Sequence, residues 1–263
     1  MPLVTLTTDF GISSPYVAQM KGVLLTLCSE VRLVDITHGI HPQNVAEGAI
    51  VLADVTPLFP VGTLHIAVVD PGVGTARKLL YVEAGEQKYL LPDNGLLTLV
   101  AKRSPPSLII SLQNRNLWRR SVSSTFHGRD ILAPVAAQLC RGVSPRELGP
   151  QVTDFIRLPW PEAATGPGRI AGQIIYLDSL GNLITNITQK QLAQIGPLAE
   201  SEVSLRGKTI VGIGNAYADS PPGSLIALCD SQGRLEIAMV NGNAARELSA
   251  CPGTSVEVTG RHA

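Results

Sequence analysis

The chain has 263 residues, of which 44% are apolar, 16% are charged and only 4% are aromatic. Its 21 Lys and Arg residues balance its 21 Asp and Glu residues, and no basic segment is interleaved with aromatic residues, so we expect no nucleic-acid partner. No apolar run reaches membrane-spanning length and the N-terminus lacks a signal-peptide pattern, so we expect a cytoplasmic protein without a membrane partner.

The first 158 residues alternate strand patterns with helix patterns. A β-branched run over residues 4–10 predicts the first strand, and Pro15 opens the helix that follows. Further strands are predicted over residues 31–36, 64–69, 79–84, 88–91 and 108–111, and further helices over residues 44–55, 96–103 and 131–141. This alternation predicts an α/β domain built on a mostly parallel sheet with helices on both faces.

A second domain is predicted after a segment rich in Pro and Gly. The predicted boundaries are an N-terminal α/β domain over residues 1–158, a linker over 159–169 and a C-terminal β domain over 170–263. The pattern in the last domain is one of short strands over residues 170–177, 183–187, 209–212, 224–228, 235–240 and 255–259. One helix is predicted there, over residues 189–195, so we expect a small β-barrel or sandwich.

The four cysteines form no CxxC pair. Their wide spacing indicates neither a zinc site nor a disulfide framework. We therefore expect all four to be buried as small apolar side chains.

The stretch LHIAVVDPGVGTAR, residues 64–77, combines a buried strand with a carboxylate and a guanidinium. Asp70 ends the strand and Arg77 follows seven residues later. Ligands of open α/β sheets bind at the carboxyl ends of strands, where this pair could orient and polarise a water molecule. The alternative is that Asp70 caps its own turn and pairs with Arg77 at the surface.

Asp9 and His127 share this kind of position, since each lies where a strand or loop passes into a helix. Together with Asp70 they predict a site on one rim of the sheet, although turn or capping duty explains each residue singly. The spacing of Asp35, His38 and His41 allows a metal site, but Gly39 and Pro42 interrupt any shared helix face, which favours structural or surface roles.

Two turns of the second domain carry acids and amides. One is residues 178–182, DSLGN, and the other is residues 229–233, CDSQG. Ordinary turn chemistry explains such residues about as well as ligand binding does. Glu236, in the strand that follows, is expected to face solvent unless it reaches a ligand.

Seven motifs in this order resemble the S-adenosyl-L-methionine hydroxide adenosyltransferases, which are adenosine-forming hydrolases related to the bacterial fluorinase and chlorinase. They are TDFG (8–11), YVAQMKG (16–22), VDITH (34–38), VDPGVGT (69–75), PDNGLL (92–97), TFHGRD (125–130) and DSLGNLITNI (178–187). The resemblance covers nearly the whole chain. It implies the two-domain architecture and a homotrimer whose sites lie between domains of neighbouring subunits.

The implied reaction is attack by water or hydroxide on the ribose 5′ carbon of S-adenosyl-L-methionine, which releases adenosine and L-methionine. Because the sulfonium leaving group is already cationic, we expect no cofactor and no metal. By this resemblance Asp70 holds the nucleophile, Arg77 favours hydroxide, and His127 orients the water or takes its proton.

The resemblance also implies the residues that bind substrate. Asp9 would hold the ribose hydroxyls, and Asn182 would read the adenine edge while Tyr217 lies against the base. Asp178 and Ser231 would bind the amino-acid end. Glu236 and Met239 would line the same pocket.

Departures from the halogenases separate the sister activities. Asp70 and Gly128 stand where those enzymes carry a Tyr and a Ser near the halide, and a carboxylate disfavours halide binding. Gln43 replaces their Trp near the ribose, and Gln232 replaces their Arg for the methionine carboxylate. Two alternatives stay open: a non-catalytic protein that binds adenosine or S-adenosyl-L-methionine, and a halogenase. A nucleoside N-ribohydrolase is disfavoured because no DxDxxxDD cluster follows the first strand.

Overall fold

The structure of the chain, a computed structural model, describes residues 1–260 in two units. The first unit extends to Leu158 and the second begins at Pro159. None of the helices within residues 1–260 is long and apolar enough to cross a membrane.

The first unit is an α/β domain, as the alternation of patterns predicts. Its strands are β1 Leu3–Thr8, β2 Arg32–Thr37, β3 Leu64–Val68, β4 Leu79–Ala84, β5 Gln87–Pro92 and β6 Pro106–Ser111, and its helices are α1 Tyr16–Leu27, α2 Val45–Val55, α3 Thr98–Arg103 and α4 Ala133–Cys140. They form one sheet in the order β2-β1-β3-β5-β4-β6. The first four of these strands are parallel, and β4 is antiparallel to both of its neighbours.

Helices cover both faces of this sheet because side chains alternate along each strand. Val4 and Leu6 of β1 pack on one face in a cluster that includes Met20 of α1. The intervening Thr5 points the other way and bonds His65, on the face that α2 and α3 cover. The predicted mostly parallel sheet with helices on both faces is confirmed.

The helix predicted over residues 131–141 begins earlier, with a π-helical turn over Gly128–Leu132 that continues into α4. Pro134 accounts for the wider turn, since it has no N–H to donate and its ring would clash with the carbonyl of Asp130 in a regular α-helix. That carbonyl instead accepts a hydrogen bond from the backbone N–H of Arg119 (3.0 Å).

The second unit is a β domain that shows nine strands up to residue 260. They are β7 Ala164–Gly166, β8 Arg169–Leu177, β9 Leu183–Thr188, β10 Glu202–Leu205, β11 Lys208–Val211, β12 Ile213–Gly214, β13 Leu225–Cys229, β14 Arg234–Met239 and β15 Ser255–Thr259. The order β11-β10-β15-β8-β9-β14-β13-β12 curls into a nearly closed barrel around apolar side chains such as Ile174 and Ile237. The predicted β-barrel or sandwich class is confirmed.

The second unit differs from the sequence-based expectation in several details, among them strands β10 and β12, which were not predicted. Helix α5 covers only Gln189–Leu192, and a second helix, α6 Ala244–Leu248, is present where none was predicted. Helix α6 is short and depends on a cap, because the Asn243 side chain accepts from the N–H of Arg246. The segment predicted as a linker contains β7, which pairs with β8.

The cysteines are all free, as expected for a chain without a disulfide framework. Cys28 is buried in the apolar cluster of the first unit, Cys140 and Cys229 are partly exposed, and Cys251 is exposed. The prediction that all four are buried therefore holds only for Cys28, and it is most clearly wrong for Cys251, which lies in the loop after α6 rather than in a strand or helix.

Candidate active site

The carboxyl ends of β1 and β3 meet at one rim of the first sheet. These strands pair in parallel, with Thr8 opposite Val68, so that Asp9 and Asp70 leave the sheet side by side. A cavity of about 310 Å³ opens there. Its walls are Asp9, Phe10, Pro42, Gln43, Val68, Asp70, Pro71, Val73, Thr125, Phe126, His127 and Gly128. The structure thus brings together Asp9, Asp70 and His127, which the sequence predicted on one rim.

Asp70 and Arg77 form a buried ion pair. Nε of Arg77 donates to Oδ1 and Oδ2 of Asp70 at 2.7 and 2.9 Å, and the Nη2 group also contacts Oδ2. Only 6% of the Asp70 side chain and 7% of the Arg77 side chain are exposed. This burial excludes the alternative of a surface pair and holds the carboxylate in one orientation.

The remaining donor group of Arg77 reaches His127. Its Nη1 atom donates to Nδ1 of His127 at 3.1 Å. Because a guanidinium has donors only, Nδ1 must act as the acceptor, so the ring is neutral and carries its proton on Nε2. Burial and the charge of Arg77 lower the pKa of His127 below its usual value, and Asp70 and Asp130 partly offset this effect.

Two glycines allow the close approaches around the pair. Gly74 has φ of +83°, and a Cβ atom there would lie 2.5 Å from the carbonyl oxygen of Ser124, so a side chain would separate the turn after β3 from the loop that carries His127. A Cβ atom at Gly128 would meet Met20 Sδ at 3.2 Å and Val68 Cγ2 at 3.3 Å. Met20 and Val68 therefore pack closely against Gly128 in the wall of the cavity and leave little room for a side chain there.

Asp130 anchors the loop that presents His127, a role that the sequence analysis did not identify. Its side chain is fully buried and accepts from Arg119 (2.8 Å), from Arg129 (2.7 and 2.9 Å) and from the backbone N–H of Ser123 (2.9 Å). These donors hold the pKa of Asp130 at about 2, even though burial opposes ionisation. The sequence did contain a signal for this role, because Asp130 is an acidic residue beside the apolar residues that begin a helix.

Asp9 already uses one oxygen within the protein. Oδ2 accepts from the backbone N–H of Gln43 at 2.7 Å, and Gln43 has φ of +66°, a conformation that this contact supports. Oδ1 has no hydrogen bond with residues 1–260, and Asp9 is one of the residues that line the 310 Å³ cavity.

The residues that could have formed a metal site do not converge. Asp35 pairs with Lys21 and His38, while His41 pairs with Glu47. No group of three or more His, Cys, Asp or Glu side chains within residues 1–260 is arranged to hold a metal ion. Asp35, His38 and His41 therefore each have an ionisable partner within the protein.

In the second unit, Asp178 and Asn182 form one turn. Oδ1 of Asp178 accepts from the backbone N–H of Leu180 and of Asn182, and Oδ2 accepts from the Asn182 side chain, each at 2.9 Å. Both residues are thus placed by ordinary turn chemistry, which leaves the amide oxygen of Asn182 as an acceptor.

Tyr217 and Glu236 form a second contact in this unit. The hydroxyl of Tyr217 donates to Oε1 of Glu236 at 2.5 Å. Glu236 is 4% exposed, so the expectation that it faces solvent is wrong, because β14 turns it toward the tyrosine. Burial, Asp178 and Asp230 raise the pKa of Glu236, whereas the bond from Tyr217 lowers it.

Asp178 and Asp230 each lie near enough to Glu236 for their negative charge to raise its pKa. Asp230 was not predicted as a site residue. It accepts from the backbone N–H of Gln232 and of Arg234, both at 2.8 Å, and so shapes the exposed turn that carries Ser231. The Tyr217 side chain is 45% exposed, and Met239 is half-buried at the end of β14. The result is an acidic surface suited to a cationic ligand.

Comparisons with known proteins agree on one family. Residues 4–149 match the model of the SAM hydroxide adenosyltransferase N-terminal domain, and residues 172–257 match that of the C-terminal domain. The (R)-S-adenosyl-L-methionine hydrolase of Salinispora tropica is 38% identical over 264 residues, which are 98% of each chain. The fluorinase of Actinopolyspora mzabensis is 25% identical, over 98% of this chain and 97% of its own.

A solved structure shares the fold. The crystal structure of an uncharacterized conserved protein from Thermotoga maritima matches with a TM-score of 0.92 and 32% sequence identity. The match covers 97% of this chain and 99% of that chain.

Proposed function

The chain belongs to the SAM hydroxide adenosyltransferase family, and on that premise we propose how it acts as an S-adenosyl-L-methionine hydrolase that forms adenosine. The observation that carries the mechanism is the continuous contact from Asp70 through Arg77 to His127. Asp70 and His127 both line the cavity at the ends of β1 and β3. We propose that the attacking water molecule lies in that cavity, with the Asp70 carboxylate as its acceptor and His127 as its donor.

In the proposed reaction the water oxygen attacks the ribose 5′ carbon as the bond from that carbon to sulfur breaks. The bonding pair passes to the sulfonium sulfur, which leaves as the neutral thioether of L-methionine, and the water proton is lost to a base. Since the sulfonium needs no protonation to leave, we propose that the reaction uses no cofactor. The protein contributes an aligned and polarised nucleophile.

The two groups beside the water have different roles in this mechanism. With Nδ1 bonded to Arg77, His127 presents Nε2–H as a donor that orients the water oxygen. The carboxylate of Asp70 is the acceptor that can take the proton as the bond to carbon forms. The geometry thus favours a His127 that orients the water molecule over one that takes its proton. The sequence left these two roles open.

We propose that the remaining site residues bind the substrate. Asp9 has one uncommitted carboxylate oxygen in the cavity, which suits a ribose hydroxyl. The acidic surface around Asp178 suits the ammonium group of the amino-acid end, with Ser231 beside it. Asn182 and Tyr217 would contact the adenine ring, and Glu236 and Met239 would line the substrate pocket. Gln232, on an exposed turn, offers no charge to the substrate carboxylate.

A halogenase activity is disfavoured by the same cavity. At about 4 Å, an isolated carboxylate repels a chloride ion by roughly 4 kcal/mol at an effective dielectric constant near 20, and for Asp70 the positive charge of Arg77 offsets part of this repulsion. Asp70 is held in the cavity by its pair with Arg77, and Gly128 supplies no hydroxyl to a halide. Hydroxide attack is therefore the proposed outcome even in chloride solutions.

Three finer features are also proposed. The name of the Salinispora tropica relative specifies the (R) form, and since L already describes the amino-acid carbon, (R) refers to the sulfonium sulfur. We propose the same epimer as the substrate here, tested by following both sulfonium epimers during turnover. We further propose a homotrimer, tested by light scattering, and a cytoplasmic location.

The decisive experiment follows the oxygen atom. The purified protein is incubated with S-adenosyl-L-methionine in water enriched in oxygen-18, with and without excess chloride, and the products are separated and weighed by mass spectrometry. Adenosine labelled at its 5′ oxygen, equal in amount to methionine, is expected in both cases. Chlorinated adenosine would contradict the role of Asp70, and substrate binding without product would favour a binding protein.

A further inference from the structure

A second cavity of about 640 Å³ lies on the other side of Arg77 and His127. It is bounded by the turn after β3, the adjoining ends of β4 and β6, and residues 113–122. Five cationic side chains line it, namely Arg77, Lys78, Arg115, Arg119 and Arg120, and its walls include no carboxylate. We refer to it as the cationic cavity.

Part of this positive charge has no acidic partner. Arg77 is paired with Asp70, and Arg119 with Asp130. By contrast, neither Arg115 nor Arg120 forms an ion pair within the described part of the chain. The third, Lys78, has only a long contact of 3.8 Å with Asp154, whose side chain is 85% exposed.

A second observation concerns an unpartnered donor beside the cavity, which an acceptor in the cavity could reach only if the indole ring moved. Trp118 lines the cationic cavity, and its indole nitrogen is buried without a hydrogen-bond partner among residues 1–260. A buried N–H without an acceptor is costly and uncommon in native proteins. Arg115 lies 5.8 Å from the same indole ring, so an unpaired donor and an unpaired cation are neighbours.

The cavity communicates directly with the proposed catalytic contact. Arg77 and His127 line it, while Asp70 faces the smaller cavity at the ends of β1 and β3. A negative group in the cationic cavity would therefore approach Arg77 from the side away from Asp70. It would compete with Asp70 and His127 for the guanidinium and oppose negative charge on the nucleophile.

We propose that the cationic cavity binds a multivalent oxyanion of the phosphate class and that its occupancy slows hydrolysis. Arginine guanidinium groups bind such oxyanions through paired, charge-assisted hydrogen bonds. The volume of about 640 Å³ is ample for phosphate or pyrophosphate. The binding half of this proposal stands alone, whereas the inhibitory half rests on the proposed function.

Binding is tested without substrate, so that it is independent of any activity. Inorganic phosphate and pyrophosphate are titrated into the full-length protein by calorimetry, and the His127 ring is followed by NMR. Saturable binding with movement of the His127 signal is expected. The double variant Arg115→Gln/Arg120→Gln should weaken binding by at least about tenfold, because it removes two charged donors. A control, Arg32→Gln/Arg141→Gln, lowers the net charge equally outside the cavity and should bind as the wild type does.

Inhibition is tested separately with S-adenosyl-L-methionine. Pyrophosphate should lower kcat with KM unchanged in the wild type and in the control, and the effect should be lost in Arg115→Gln/Arg120→Gln. Three results would overturn the proposal. They are no binding at millimolar pyrophosphate, equal binding by the wild type and Arg115→Gln/Arg120→Gln, and inhibition that excess substrate relieves. If hydrolysis itself were absent, the titrations would still decide whether the anion site exists.

Discussion

The contact between Arg77 and its two partners makes a quantitative prediction for the variant Arg77→Lys. Lysine keeps the charge, but a single ammonium cannot reproduce the fork that bonds Asp70 and His127 together. At least one hydrogen bond to a charged group is lost, which contributes about 1.5–3 kcal/mol. If that bond orients the nucleophile, kcat should fall by about 10- to 150-fold.

KM should change little, because Arg77 is not part of the wall of the 310 Å³ cavity. The assay is the initial rate of adenosine formation over a range of substrate concentrations, with the fold checked by circular dichroism. Arg103→Lys is a matched control, since Arg103 also bonds a carboxylate, Asp54 at 2.9 Å, away from both cavities that adjoin His127. A kcat for Arg77→Lys within about threefold of the wild type, in a folded protein, would refute the reasoning.

Three further predictions concern titratable groups. The pKa of His127, measured by NMR, should lie below 6.5 and should rise in Arg77→Met, because the guanidinium disfavours the protonated ring. Asp130→Asn should lower the free energy of unfolding by about 2 kcal/mol above pH 4, because the pKa of Asp130 is about 2 in the folded protein and 3.8 ordinarily. Urea titrations of the variant and the wild type should show this difference shrinking as the pH falls toward 2. His65 is fully buried, and its burial lowers its pKa from 6.5 to about 4. The folded protein therefore holds the neutral ring, and the stability linked to this neutral form is fully present above pH 6.5. About 3 kcal/mol of that stability should be lost between pH 6.5 and 4 in the wild type but not in His65→Gln.

The pattern of strands and helices was predictable because burial on one face leaves a period in the sequence. Strands β1, β3 and β4 and helices α1 and α2 occupy the expected segments, and the class of both domains is confirmed. Short elements such as β7, β12 and α6 were missed, since two to five residues carry no readable period. They depend on a neighbouring strand or on one capping side chain.

For the candidate site in the first unit, the sequence predicted where the residues lie but not which of them contact each other. Strand ends carrying Asp9 and Asp70 are visible in the sequence, and the rule that parallel strands share a ligand-binding edge places them together. The bond from Arg77 to His127 spans 50 residues and depends on the approach that Gly74 permits. No local pattern records such a distance.

Sequence alone therefore established the fold class, the family resemblance and the chemical types available to the site, because these follow from local periodicity and from motifs. Tertiary packing decided the protonation, burial and hydrogen bonding of individual side chains. Examples are the tautomer of His127, the burial of Glu236 and the anchoring role of Asp130. The physical reason is that protonation and hydrogen bonding depend on the groups within a few ångströms. Those groups come from distant parts of the chain and meet only when it folds.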